Sequence, residues 1–175
     1  FPSEQRRILK VIQDFALCSP RKAFVLVGDG KTLFRWEGGS RKEALASILG
    51  DPEGRQAIYE KGPVRVETWN ANDRPGKRTE ILTFVNGRRV VEPTVRSALF
   101  SLGTEVSGDW VILVQCPPGE VDVNIHPAKA EVRFRNPGTI FEAVRGAARA
   151  ATSRGTDVPL IVAVEPGSPV FPWNG

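Results

Sequence analysis

The chain contains no methionine, a single histidine (His126), a single tyrosine (Tyr59) and two cysteines. These scarcities close off whole classes of chemistry. Cys18 and Cys116 stand far apart and form no C-x-x-C pattern, so a zinc ribbon or finger has no ligand set. A serine or cysteine triad would need His126 as its base, and no nucleophile motif accompanies it. Both cysteines lie among apolar neighbours, in FALCSP and LVQCPP. Two buried, reduced thiols are expected there, with a single disulfide as the alternative. No hydrophobic run approaches the length of a membrane span, and the first residues carry no signal-peptide pattern. The chain opens on Phe1-Pro2 without an initiator methionine, so the expectation is a piece of a larger cytosolic protein cut at a domain boundary. Neither sign of charge dominates. A net charge of +4 and a pI near 9.4 permit a polyanionic partner without requiring one.

Hydrophobic residues, 41% of the 175, are arranged in short periodic runs. SEQRRILKVIQDFALCSP carries Ile8, Val11, Ile12 and Phe15 at helical spacing, with Ser3 as N-cap and Pro20 as a stop. AFVLVGDGKTLFRW reads as two strands around a Gly-Asp-Gly turn. SRKEALASILG holds a capping box in Ser40 and Glu43 and a terminator in Gly50. A further short helix is expected over about 52–59. From Gly62 the pattern turns to strands: PVRVETW, then the polar loop NANDRPGK, then RTEILTFVNGRRVVE with Asn86-Gly87 marking a hairpin. PTVRSALFSLG predicts a helix with Pro93 in its first turn. WVILVQCP predicts a buried strand, and VDVNI and AEVRF half-buried ones. NPGTIFEAVRGAARAATSRG predicts a closing helix. Helices and strands do not strictly alternate, so the predicted class is α+β, a mixed sheet covered by helices. Residues 1–155 are expected to form the domain, and 156–175 a C-terminal extension leading into an interdomain linker.

GDGKT at 28–32 imitates the end of a phosphate loop. That motif also needs a glycine five residues before Gly30, where Val25 stands, so a hairpin turn is the better reading. VDVNIHPAK at 121–129 carries more information. Pro127 cannot join a strand ladder and holds His126 extended, so the segment is a stiff corner with Lys129 just past it. A lysine fixed there is a point charge suited to phosphate, although a solvated lysine on a charged strand has the same sequence.

FVNGRRV at 84–90, followed by a helix, a buried strand and VDVNIHPAKAEVRF, resembles the second domain of MutL-type DNA mismatch repair proteins. Only Ile125 departs from the family's V-D-V-N-V-H-P-A-K run, and the likeness covers roughly residues 1–152. The resemblance implies a fold like the transducer domain of type II topoisomerases, also found in a small-subunit ribosomal protein. It implies a preceding ATP-binding domain of the GHKL type, which carries the catalytic glutamate and holds ATP and Mg2+. No catalytic residue is then expected within these 175 residues. The HPAK lysine of the family reaches the γ-phosphate of ATP, and that residue is Lys129 here. Asn124, His126 and Pro127 would support the corner. The resemblance also implies homodimerisation in the intact protein, contacts with other mismatch repair proteins, no membrane, and non-specific DNA binding in a basic groove. Candidates for the groove are Arg88, Arg89 and Arg96, with Arg74, Lys77 and Arg78 in the preceding loop. Some members place a basic residue where this chain has Pro93, which puts that one contact in doubt. Two rivals would share the fold: a stand-alone nucleic-acid-binding module, and the transducer of a topoisomerase or chaperone.

Overall fold

A computed structural model describes residues 3–51, 53–71, 79–103, 106–122, 132–152 and 160–162. They divide into two compact units, one within residues 1–52 and one within residues 53–172.

The first unit is helix, hairpin, helix, in the order that the residue pattern predicts. Helix α1 (Ser3–Cys18) buries Ala16, Leu17 and Cys18, and its Gln5 Nε2 donates to Asp29 Oδ2 at 3.0 Å. Strands β1 (Phe24–Gly28) and β2 (Lys31–Trp36) pair antiparallel. Asp29 and Gly30 turn between them with φ of +51° and +71°. The phosphate-loop imitation is therefore a hairpin turn. Trp36 Nε1 donates to the Pro20 carbonyl at 2.7 Å and pins β2 to the end of α1. Helix α2 (Arg41–Leu49) opens on the anticipated capping box. Ser40 N–H donates to Glu43 Oε2 at 2.7 Å, and Glu43 N–H donates to Ser40 Oγ at 3.2 Å. The Ser40 donors hold the Glu43 carboxyl below its ordinary value. Much of this unit's apolar surface stays uncovered. Ile8, Val11 and Phe15 share one face of α1, Val25 and Val27 one face of β1, and all five are exposed.

The second unit is built on a sheet in the order β10 (Leu160–Val162), β3 (Arg55–Lys61), β4 (Val64–Asn70), β7 (Trp110–Gln115), β5 (Ile81–Val85) and β6 (Arg88–Val90). The helix expected over 52–59 is instead strand β3 (Arg55–Lys61). Gly62, at φ +55°, turns the chain back, so that β3 pairs along its whole length with β4 (Val64–Asn70). Seven paired residues outweigh the weak local helix signal. Trp69 lies flat against Gly54, just ahead of β3, where a Cβ would fall 2.3 Å from its ring. Strand β7 (Trp110–Gln115) runs antiparallel to β4 and parallel to β5 (Ile81–Val85). Five of its six residues are buried, as the WVILVQ run predicts. Strand β6 (Arg88–Val90) closes the hairpin on β5. Leu160–Val162 of the tail forms β10, parallel to β3.

Helices α3 (Pro93–Phe100) and α4 (Pro137–Thr152) share one core with this sheet. The inward face of α4 carries Ala143, Val144, Ala147, Ala148 and Ala151, small enough for the helix to lie close on the strands. Gly146 allows the closest approach, because a Cβ there would meet the Tyr59 ring at 2.6 Å. Thr68, fully buried, directs its hydroxyl to the Ala147 carbonyl at 3.3 Å. The observed class is α+β with a mixed sheet, as predicted.

Candidate functional site

The β5–β6 hairpin turns at Asn86 and Gly87, both left-handed with φ of +48° and +78°. A two-residue loop of that kind matches the twist of its strands, which is why Asn-Gly marks it in sequence. The asparagine side chain has a second task that sequence reasoning missed. Its Nδ2 donates to the Cys116 carbonyl at 3.0 Å, and the Cys116 N–H donates to its Oδ1 at 3.0 Å. The amide thus occupies both backbone groups of the residue that follows β7. Asn86 N–H also donates to the Val114 carbonyl at 2.9 Å. The turn is fastened to the end of β7 at three points.

Cys116 leads directly into Pro117-Pro118, a 3-10 turn (Pro118–Glu120) and strand β8 (Val121–Asp122). Strand β9 (Arg133–Phe134) returns antiparallel, pairing Val121 with Phe134 and Asp122 with Arg133. Arg135 N–H donates to the Glu120 carbonyl at 2.9 Å, and Asn136 Nδ2 donates to Glu120 Oε2 at 2.8 Å. The described residues on either side of the HPAK run in sequence are therefore fastened to each other, and Cys116, ahead of them, is bonded to the basic hairpin through Asn86. Lys129, Asn124, His126 and Pro127 lie outside the described residues, as do Arg74, Lys77 and Arg78.

The three remaining basic candidates are described. Arg88 is exposed at the start of β6, Arg89 is half-buried behind it, and Arg96 is exposed on α3. The Arg96 guanidinium carbon stands 5.5 Å from the centroid of the Phe100 ring. Glu92 caps α3, accepting the Val95 N–H at 2.8 Å, and is itself buried. Sequence reasoning saw Pro93 but not this cap. Only Pro93 at the first helical position was a readable signal, because glutamate is not among the residues that commonly cap a helix start.

Both cysteines are free and buried. Burial pushes the Cys18 and Cys116 thiols up to about 11, so neither supplies a thiolate nucleophile at neutral pH. Among the described residues, no group of three or more His, Cys, Asp or Glu side chains is placed to hold a metal ion. Among the same residues, no helix is long and apolar enough to cross a membrane.

Residues 55–153 match the family model described as the C-terminal domain of DNA mismatch repair protein. Over 172 residues the chain is 35% identical to the DNA mismatch repair protein MutL of Sinorhizobium fredii, covering 89% of this chain and 28% of that protein. Over 159 residues it is 31% identical to the MutL of Geobacter sulfurreducens, covering 83% and 26%. The chain thus spans little more than a quarter of these relatives. Among solved structures, the Aquifex aeolicus MutL ATPase domain complexed with ADP superimposes with a TM-score of 0.59 at 17% identity, over 89% of this chain and 50% of that one. The B-subunit of Myxococcus xanthus DNA gyrase does so with a TM-score of 0.54 at 16% identity, over 85% and 55%. At those identities the likeness is one of fold.

Proposed function

The chain belongs to the MutL family of DNA mismatch repair proteins, and on that premise we propose that it is the part of such a protein that senses ATP bound by a neighbouring domain. Lys129 reaches the γ-phosphate of ATP held, with Mg2+, by an upstream GHKL-type half. Arg88, Arg89 and Arg96, with Arg74, Lys77 and Arg78, hold DNA non-specifically in a groove formed when two N-terminal halves dimerise.

The observation that carries this reading is the Asn86–Cys116 clamp. A lysine can sense a phosphate only if its backbone is anchored, because a freely moving ammonium gains little from one more anion. The described residues that flank the HPAK run are fastened to each other, and Cys116 ahead of them is bonded to the same hairpin that presents Arg88. A change in how the segment engages ATP would therefore be felt at the basic hairpin without any further moving part.

The first unit supports the presence of a neighbour. A two-stranded hairpin with open apolar faces on β1 and α1 is marginal by itself and gains stability when another element covers those faces. A neighbouring ATP-binding half would cover them.

The chemistry of Lys129 is electrostatic. Its contact with the γ-phosphate exists only while ATP is bound and intact, so hydrolysis removes the contact and loosens the docked halves. In the transition state the same charge stabilises the transferring phosphoryl group. Replacing Lys129 by alanine in the complete protein is expected to lower the ATP hydrolysis rate by roughly 100-fold, the scale for removing one preorganised charge or donor. Lys129→Arg should recover part of that loss. Wild-type turnover by a folded Lys129→Ala protein would contradict the assignment.

A further inference from the structure

Beyond the end of α4 the chain returns to the sheet. Strand β10 lies on the outer edge of β3 and runs parallel to it, with Ile161 opposite Ile58. The family model ends at residue 153, so β10 lies outside the part that it matches.

The pairing decides where the chain is sent. Arg55 Nη1, at the start of β3, donates to the Thr152 carbonyl at 3.3 Å, and Lys61, at the end of β3, pairs with Glu142 near the start of α4. Helix α4 therefore runs against β3 and finishes at the Arg55 end of the sheet. Strand β10 carries the chain back the other way, until Val162 stands opposite Tyr59, roughly 13 Å along β3 from Arg55. Strand β3 is antiparallel to β4, β4 is antiparallel to β7, and β7 is parallel to β5, so Lys61, Gln115 and Val85 share one end of the sheet. At that end Asn86 clamps Cys116, and from it Pro117 leads towards the residues that flank the HPAK run.

The hold on β10 is weak beside the rest of the sheet. Strand β3 pairs with β4 over seven residues and with β10 over three. Parallel pairing is slightly less stable per residue than antiparallel pairing. The net gain from one hydrogen bond is also about what it costs to fix the backbone of one residue. The sequence still favours seating. Leu160 to Val164 is apolar and rich in β-branched residues, and Pro159 and Pro166 bound the run.

We propose that β10 is a releasable strap. Seated on β3, it fixes the point from which the chain beyond Val162 is tethered and sets that point towards the hairpin end of the sheet. Released, it returns the point to Thr152 at the opposite end and adds residues 153–162 to the tether, up to about 35 Å of chain. The strap does not depend on what Lys129 senses.

The test reads β3 directly. Lys61 and Val64 close a two-residue turn, so Lys61, Tyr59 and Ala57 bond to β4, and Ile58 and Glu60 turn their amides towards β10. Amide hydrogen exchange is measured residue by residue on the complete chain, as wild type, Val162→Pro and Val164→Pro. Proline at 162 removes an amide from the strap. Exchange at Ile58 and Glu60, slowed in the wild type, should accelerate by about 5- to 100-fold in Val162→Pro, the range for losing one or two net hydrogen bonds. Ala57 and Tyr59 should change by less than about twofold, and Val164→Pro should leave all four as in the wild type. Spin labels on Arg135→Cys and Glu165→Cys read the tether, since Cys18 and Cys116 are buried. Their narrow distance distribution should lengthen and broaden when Val162→Pro is added. Unprotected Ile58 and Glu60 amides in the wild type would overturn the seating. Equal acceleration at Ala57 and Tyr59 would overturn the release, because β10 would then be an integral strand. The same acceleration by Val164→Pro would overturn the assignment of the hold to residues 160–162. An unchanged distance distribution in Val162→Pro would overturn the tether role.

Discussion

Replacing Asn86 tests whether the hairpin turn and the base of the HPAK segment form one fastened unit. In Asn86→Ala, both Cys116 backbone groups lose a partner at 3.0 Å. Cys116 is only 9% exposed, so water replaces those partners poorly. Each lost hydrogen bond costs about 1 kcal/mol net, and up to about 3 kcal/mol where the group left behind stays buried. Alanine must also adopt the left-handed backbone that Asn86 holds at φ +48°, which adds roughly 1 kcal/mol. The expected loss is therefore about 3 kcal/mol. Asn86→Gly separates the two terms, because glycine accepts the positive φ freely and lacks only the side-chain bonds. It should cost about 2 kcal/mol. The assay is urea unfolding followed by tryptophan fluorescence, since Trp69 and Trp110 are fully buried in this unit. The midpoint should fall while the slope stays constant. An Asn86→Gly protein within about 0.5 kcal/mol of wild type would refute the clamp.

Other perturbations follow from the same geometry. Gly54→Ala would place a Cβ 2.3 Å from the buried Trp69 ring and should destabilise the second unit by about 1–3 kcal/mol in the same unfolding assay. Glu92→Ala removes the cap on α3 and should cost about 1 kcal/mol. The Cys18 and Cys116 thiols ionise in the folded chain near 11, above their ordinary value of 9.0. Their protonated forms are favoured by folding, so their contribution is complete below pH 9 and is lost as pH rises towards 11. Unfolding midpoints measured across that window should fall, and a Cys18→Ala, Cys116→Ala chain should fall less. Arg88→Ala should weaken DNA binding across all sequences and reduce the slope of log affinity against log salt by about one; an unchanged slope would remove Arg88 from the phosphate contacts.

Much of this was legible in the residues because the determinants were local. Ser40 and Glu43 are three apart and can only make their reciprocal bonds at a helix start. Asn86-Gly87 reads as a hairpin because few other residues accept two successive positive φ angles. The HPAK run and its neighbours carry the family's pattern in the residues themselves. Strand β3 was misread because its evidence is not local: Arg55–Lys61 becomes a strand through seven partners on β4 and through Leu160–Val162 on its other edge. The Asn86 clamp escaped for the same reason, since Cys116 is thirty residues away and no spacing rule pairs a turn asparagine with a distant backbone amide. The pairing of Arg96 with Phe100 could have been found, as four residues on a helix bring two side chains together.

Reconstitution reaches the central claim most directly. The upstream ATP-binding half, produced separately, is mixed with this chain, and ATP hydrolysis is followed with wild-type and Lys129→Ala versions at equal concentration. Turnover should appear with the wild-type chain and be largely absent with the variant, while circular dichroism shows both folded. Equal turnover from the two mixtures would mean that the γ-phosphate is sensed by some other group.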